Sequence, residues 1–188
     1  TASGENLMLV HRDVNSFNVM VSYEAEVKLI DFGIVRASLE KETDDGLPVA
    51  GKLLYFSPEQ LLKKPVDRRC DIYGMGVLLY EVLTGTRLVD HQETISDTVK
   101  SILELNIKEK VEGNDRIDED LGAILVKAMA MEPDQRYSRM GDMIEDLRTV
   151  IRKRGLEHRV EKFAEYMKEL FHSEILLDRR RMRRLRAE

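Results

Sequence analysis

The sequence predicts an α+β fold that is mainly α-helical. Three observations carry that expectation. The short apolar runs that read as strands all precede residue 31, helical spacing of apolar side chains dominates after Pro58, and 43% of the 188 residues are hydrophobic, ample for one buried core. A chain this rich in Leu, Ile, Val and Met is not a disordered one. Cys70 is the sole cysteine, which excludes a disulfide framework and a cysteine-based zinc site and makes a reducing, cytoplasmic compartment the expectation. The longest apolar run, Met75 to Tyr80, is too short to be a membrane span.

The elements follow in order. The sequence opens Thr1-Ala2-Ser3-Gly4-Glu5-Asn6, without an initiating Met or a charged-then-apolar leader, and reads as a loop cut from something longer. Residues 7–10 are a short apolar run, expected as a strand that enters His11-Arg12-Asp13. Residues 19–21 and 27–30 read as two strands joined by a polar turn at 23–26, the second running into Asp31-Phe32-Gly33. Residues 34–51 are polar, acidic and without period, so a loop is expected there. Beyond Pro58, Ile72, Met75, Gly76, Leu79 and Leu83 keep helical spacing while Tyr73, Val77, Leu78 and Val82 fill the other faces. That pattern predicts a helix buried all round and stopped by Gly85.

Asp118 is expected to cap a helix carrying Leu121, Ile124, Leu125 and Ala128. Ser138 is expected to cap another, carrying Met140, Met143, Ile144, Leu147 and Ile151 and broken at Gly155. A last amphipathic stripe of Val160, Phe163, Ala164, Met167, Leu170 and Phe171 ends in an Arg cluster, for five or so helices altogether.

The 30 basic and 35 acidic side chains leave a net charge of −5, which argues against a nucleic-acid partner. The distribution is uneven: residues 179–188 hold six Arg and one Glu, leaving 24 basic against 34 acidic side chains in residues 1–178. An Arg-rich tip could touch acidic lipid or nucleic acid, but a solvated helix end is the plainer reading.

Three separated features carry chemistry. His11-Arg12-Asp13 has Asn18 five residues beyond the Asp, Asp31-Phe32-Gly33 follows a strand, and Ser57-Pro58-Glu59 comes some two dozen residues later. Each tripeptide alone is weak; their order, spacing and context together are specific. In these motifs the sequence resembles the eukaryotic-type (Hanks-type) protein kinases, through the catalytic loop, the metal-binding loop and the end of the activation segment. The likeness runs from about Leu7 to about Arg152 and includes Asp71 and Arg136. Ser57-Pro58-Glu59-Gln60, with Asp71-Ile72-Tyr73-Gly74-Met75-Gly76 after it, looks most like bacterial serine/threonine kinases.

The resemblance implies the large lobe of a kinase, with a short β-hairpin carrying the catalytic and metal-binding loops. Residues 1–154 would form part of a kinase domain, and 155–188 a C-terminal amphipathic helix and basic tail. It implies transfer of the γ-phosphoryl group of ATP to serine or threonine hydroxyls of a protein substrate, with Asp13 as the base. Asn18 and Asp31 would hold Mg2+, hard oxygen ligands suiting a hard cation. Arg12 beside the catalytic Asp implies activation by phosphorylation, with Ser38 and Thr43 the available hydroxyls, unless both are ordinary solvated residues of an acidic loop. Further implications are a buried Glu59–Arg136 ion pair, Asp71 bracing the catalytic loop, and His11 as a packed core histidine.

The pattern departs from the family in two places. Most serine/threonine kinases carry a Lys two residues after the catalytic Asp, and tyrosine kinases an Arg four residues after; here those positions are Asn15 and Phe17. The activation segment, however, reads Gly51-Lys52-Leu53-Leu54-Tyr55 where the family usually has Gly-Thr. Lys52 is therefore expected to reach across the cleft and replace the missing ammonium, a merely exposed lysine being the alternative. The second departure is that no Gly-rich loop, no Val-Ala-Ile-Lys strand and no partner Glu precede His11. The stretch reads as most of a large lobe, with negligible ATP affinity expected of it alone. A pseudokinase or scaffold that binds partners without chemistry is the rival reading: Asn15 and the missing small lobe favour it, and the retained Asp13, Asn18 and Asp31 oppose it.

Overall fold

The computed structural model describes residues 9–32, 50–156 and 160–185. Strands β1 (Val19–Val21) and β2 (Val27–Leu29) come first. They are followed by helices α1 (Ala50–Leu53), α2 (Pro58–Leu61), α3 (Arg69–Thr84), α4 (Ile95–Leu103), α5 (Ile107–Glu112), α6 (Glu119–Ala128), α7 (Met140–Lys153), α8 (Val160–Leu170) and α9 (His172–Leu185). The architecture is mainly helical α+β, with one two-stranded antiparallel sheet among the described residues. These residues fall into two compact units divided between Asn18 and Val19, Ile30 and Asp31, and Val150 and Ile151.

The larger unit is organised around α3. Ile72, Tyr73, Val77 and Tyr80 are buried in a core shared with Ile102, Val111, Leu125, Met129 and Met143. The helix stops where expected: Gly85 takes a left-handed φ of 68° and gives its N–H to the Glu81 carbonyl. Burial is not complete all round, because Val82 is 73% exposed on the outer edge.

Gly74 brings α3 close to the loops that precede it. A Cβ at that position would lie 2.9 Å from the Val14 carbonyl oxygen and 3.4 Å from that of Tyr55. Both obstacles are backbone and cannot swing away. Gly74→Ala is accordingly expected to destabilise the protein by about 1–3 kcal/mol, the usual cost of overpacking, read as a lower urea midpoint.

Two helices that the apolar pattern did not single out, α4 and α5, are started by side-chain caps. Thr94 Oγ1 accepts from the Asp97 N–H (3.1 Å), and Asn106 Oδ1 from the Glu109 N–H (3.2 Å). Asp118 caps α6 by accepting from the Leu121 N–H at 3.1 Å. Ser138 does not cap α7: its hydroxyl donates to the Asp142 carboxylate (3.2 Å), and the helix begins at Met140. Of the expected strand at 7–10, Leu9 and Val10 are described and lie in no strand. The expected loop at 34–51 ends in a helical turn, since α1 starts at Ala50.

In the smaller unit, β1 and β2 pair with Val19 opposite Leu29 and Val21 opposite Val27. Their turn is held by Ser22 Oγ, which accepts from the N–H groups of Glu24 and Glu26. The final stripe is broken at Phe171 into α8 and α9. Met167 is its buried member, and Phe171 lies against the Tyr23 ring at 6.1 Å between centroids. No described helix is long and apolar enough to cross a membrane.

Candidate active site

The loop from His11 to Asn18 folds around one carboxylate. Asp13 is 6% exposed, and among the described residues the side chains of Asn15, Asn18 and Lys52 donate to it. Asn15 Nδ2 reaches Oδ1 at 2.9 Å, Asn18 Nδ2 reaches Oδ2 at 3.1 Å, and Lys52 Nζ reaches Oδ2 at 3.0 Å. The two Asn side chains also donate to the Asp13 backbone carbonyl, at 2.9 and 2.7 Å. The Asx residues that drew the chain into a loop therefore also fix the carboxylate.

The loop is anchored from α3 and α2. Asp71 accepts the His11 N–H at 2.8 Å and the Arg12 N–H at 2.7 Å, one on each carboxylate oxygen. Gln60 Nε2 donates to the Arg12 carbonyl at 2.9 Å. Arg12 itself is held at a left-handed φ of 64°, a conformation a non-glycine residue keeps only where its surroundings over-determine it. Cys70 sits beside this anchor with Sγ 3.6 Å from Asp71. Burial first, and the Asp71 charge second, push the thiol up, so it stays a thiol.

Asp31 follows β2 and also has a left-handed φ, 57°. Its loop touches the His11–Asn18 loop: the Phe32 and His11 rings stand 4.7 Å apart, and the buried His11 accepts the Asp13 N–H on Nδ1 at 3.3 Å. The register of the hairpin adds to this, because Val19 opposite Leu29 puts Asn18 and Asp31 at the same end of the strand pair.

The donor set fits a hard divalent cation. With both amide hydrogens of Asn18 spent on Asp13, its side-chain oxygen is left with no partner among the described residues, as is the Asp31 carboxylate. Two oxygen ligands are too few for a cage of protein groups alone, and among the described residues no cluster of three or more metal-binding side chains exists. So open a donor set would suit Mg2+, which usually retains several waters.

Two further contacts flank the site. Tyr55 OH donates to Glu81 at 2.6 Å and lies 2.8 Å from Ser16 Oγ, linking the segment after α1 to α3 and to the His11–Asn18 loop. Burial first, then the bond to Glu81, push the Tyr55 phenol above its ordinary range. Glu59 meets Arg136 in a two-pronged pair at 2.7 and 2.8 Å, with the Arg side chain fully buried. Sequence reasoning missed the Gln60 and Tyr55 contacts; no spacing rule marks either. Ser38 and Thr43 lie outside the described residues.

A family model described as "Protein kinase domain" matches residues 6–148. The chain is 38% identical over 135 residues to the tyrosine-protein kinase MasK of Myxococcus xanthus, covering 72% of this chain and 21% of that protein. It is 36% identical over 141 residues to the serine/threonine-protein kinase PknB of Mycobacterium tuberculosis, covering 74% and 22%. It is 34% identical over 142 residues to a probable serine/threonine-protein kinase of Clostridium acetobutylicum, covering 76% and 22%. The chain spans about a fifth of the length of these relatives.

Proposed function

We propose, because the chain belongs to the protein kinase domain family, that the whole protein transfers the γ-phosphoryl group of ATP to serine or threonine hydroxyls of a protein substrate. The observation that carries this reading is the clamped, nearly buried Asp13 carboxylate beside the loop of Asp31. The substrate hydroxyl oxygen forms the new bond to phosphorus as the bond to the bridging oxygen breaks, ADP leaving with the electron pair. The hydroxyl proton goes to Asp13. Asn18 and Asp31 would hold Mg2+, which when bound would neutralise phosphate charge. Asp71 and the Glu59–Arg136 pair are structural: one fixes the loop backbone, the other ties α2 to the segment before α7. Arg12, Ser38 and Thr43 are the regulatory set, a phosphorylated loop hydroxyl offering oxygens to the guanidinium.

A serine or threonine target is favoured over tyrosine because Phe17 stands where tyrosine kinases carry Arg, and because two of the relatives named above are serine/threonine kinases by name. Retention of Asp13, Asn18 and Asp31, with Phe32 beside Asp31 in ring contact with His11 of the Asp13 loop, supports an enzyme rather than a partner-binding scaffold. Residues 1–154 are read as part of the kinase domain and 155–188 as an appended helical segment with a basic tail. The lone buried Cys70 supports a cytoplasmic setting.

The test is transfer of radiolabel from γ-labelled ATP to a protein acceptor by the full-length protein, followed by phosphoamino-acid analysis. Phosphoserine or phosphothreonine is expected, and absence of any transfer overturns the reading. Asp31→Asn in the same assay is expected to raise the Mg2+ concentration needed for half-maximal rate by roughly tenfold or more, the ligand having lost its charge.

A further inference from the structure

We infer that the cation acting on the transferred phosphoryl group is Lys52, delivered by the activation segment instead of the catalytic loop, so that the seating of that segment decides whether the site is complete. This inference rests on the kinase reading above and extends it to regulation of the same site.

Position 15, the usual source of that charge, is closed to the task. Asn15 is buried, gives its amide hydrogens to the Asp13 carbonyl and Oδ1, and accepts the Phe17 N–H on its own oxygen at 3.0 Å. It is a clamp for the base and carries no charge. Position 17 offers an exposed phenyl ring. The ammonium of Lys52 instead lies 3.0 Å from Asp13 Oδ2, its side chain 24% exposed over a carboxylate that is 6% exposed. It therefore stands at the mouth of the site, against the group that receives the substrate proton.

The segment that carries Lys52 is seated on the catalytic loop at independent points. Gly51 lies over the Phe17 ring, which a Cβ there would meet at 3.7 Å. The Lys52 carbonyl accepts the Tyr55 N–H at 3.2 Å, and Tyr55 is tied to Ser16 and Glu81. A lysine is a compact charge on a flexible stem and can contact a phosphate oxygen while remaining near Asp13, where a planar guanidinium would demand a fixed pairing. Lys52 gives up no proton in this role; it offsets negative charge on the group in transit.

The consequence is a dependence that a catalytic-loop lysine does not impose. If the segment around Lys52 lifts from Phe17 and Ser16, the base loses its ion pair and the phosphate its cation together.

The experiment uses the full-length protein and calorimetric titration with ADP and with the non-hydrolysable analogue adenylyl imidodiphosphate, which alone carries a third phosphoryl group. Lys52→Met is expected to weaken the analogue roughly tenfold, as loss of a charge-assisted bond does, and to leave ADP unchanged. Lys52→Arg, which keeps the charge but demands a fixed pairing, is expected to recover only part of the analogue affinity, and melting curves check that both variants fold. In the wild type, the analogue but not ADP should slow amide hydrogen exchange over residues 50–56, and Lys52→Met should abolish that difference. An unchanged analogue-to-ADP affinity ratio in Lys52→Met, or equal protection by both nucleotides, overturns the inference. Nucleotide binding without any phosphoryl transfer by the wild type would instead overturn the proposed function, the affinity ratio still deciding the role of Lys52.

Discussion

Asp13→Asn in the intact protein is expected to cut phosphoryl transfer by about 10²–10⁴-fold, the range a positioned general base contributes. The substitution keeps the shape of the side chain and removes its basicity. It also reverses one hydrogen bond. Asn15 donates to Oδ1, while Asn18 and Lys52 donate to Oδ2. Whichever way an amide at position 13 turns, its NH2 group faces a donor. At least one donor, Asn15 in the better orientation, loses its partner, which costs about 1–3 kcal/mol.

The rate must therefore be read at saturating ATP on protein shown by circular dichroism to be folded. A loss of rate far beyond the loss of folded protein supports Asp13 as the base. A folded Asp13→Asn variant turning over within threefold of wild type removes that role.

Much of this site was legible because it is local. Asp13, Asn15 and Asn18 lie within six residues of one another, so their spacing alone sets a loop in which Asx side chains meet backbone. The hairpin was legible for the same reason: alternating apolar runs flank a polar turn, and register follows from turn length. Longer-range pairs such as Lys52 with Asp13 and Glu59 with Arg136 were reached through the family resemblance or a paired loss and gain of charge. Their sequence separation, 39 and 77 positions, leaves no periodic trace.

What escaped notice was short or atypical. The helices α4 and α5 are short, although Ile95, Val99, Ile102 and Leu103 keep helical spacing in α4, and Thr94 with Asp97 and Asn106 with Glu109 are capping signatures that could have placed both starts. Ser138, a cap by residue type alone, misled, because Gly141 stands three residues on and the serine's hydroxyl hydrogen went to the Asp142 carboxylate. The break between α8 and α9 at Phe171 has no Gly or Pro to mark it. It coincides with the aromatic contact to Tyr23, a tertiary event that the local pattern does not encode.

Arg136→Met is expected to destabilise the intact protein by about 3–5 kcal/mol, because it strands a buried carboxylate. At about 2–4 °C per kcal/mol, this lowers the melting temperature by roughly 6–20 °C. The cost exceeds that of a surface pair, worth about 0–1 kcal/mol. The guanidinium has more than one partner: besides Glu59 it donates to the carbonyls of Ala130 (2.7 Å), Arg69 (3.1 Å) and Met131 (3.1 Å). It also lies over the Tyr73 ring, with 5.0 Å between the guanidinium carbon and the ring centre. Arg136→Lys is expected to recover little, since an ammonium cannot span two carboxylate oxygens and three carbonyls at once.

Glu59→Leu combined with Arg136→Met should regain only part of the loss. The uncompensated charge is gone, but the three carbonyls have lost their donor. The pair also gives the acid limb of stability a sign. Burial, the largest single influence, would raise the Glu59 pKa, yet the Arg136 hydrogen bonds, a backbone N–H bond, the Arg136 charge and Ser57 together outweigh it and hold the carboxyl below its ordinary value of 4.5. Its contribution is thus complete above that value and is lost as the pH falls through the lower, folded-state pKa. Chemical unfolding followed between neutral and acid pH should show the gap between wild type and the double variant narrowing as acid is added. A gap that stays constant with pH, or a single-variant loss below about 1 kcal/mol, would mean that this pair is solvated like a surface one.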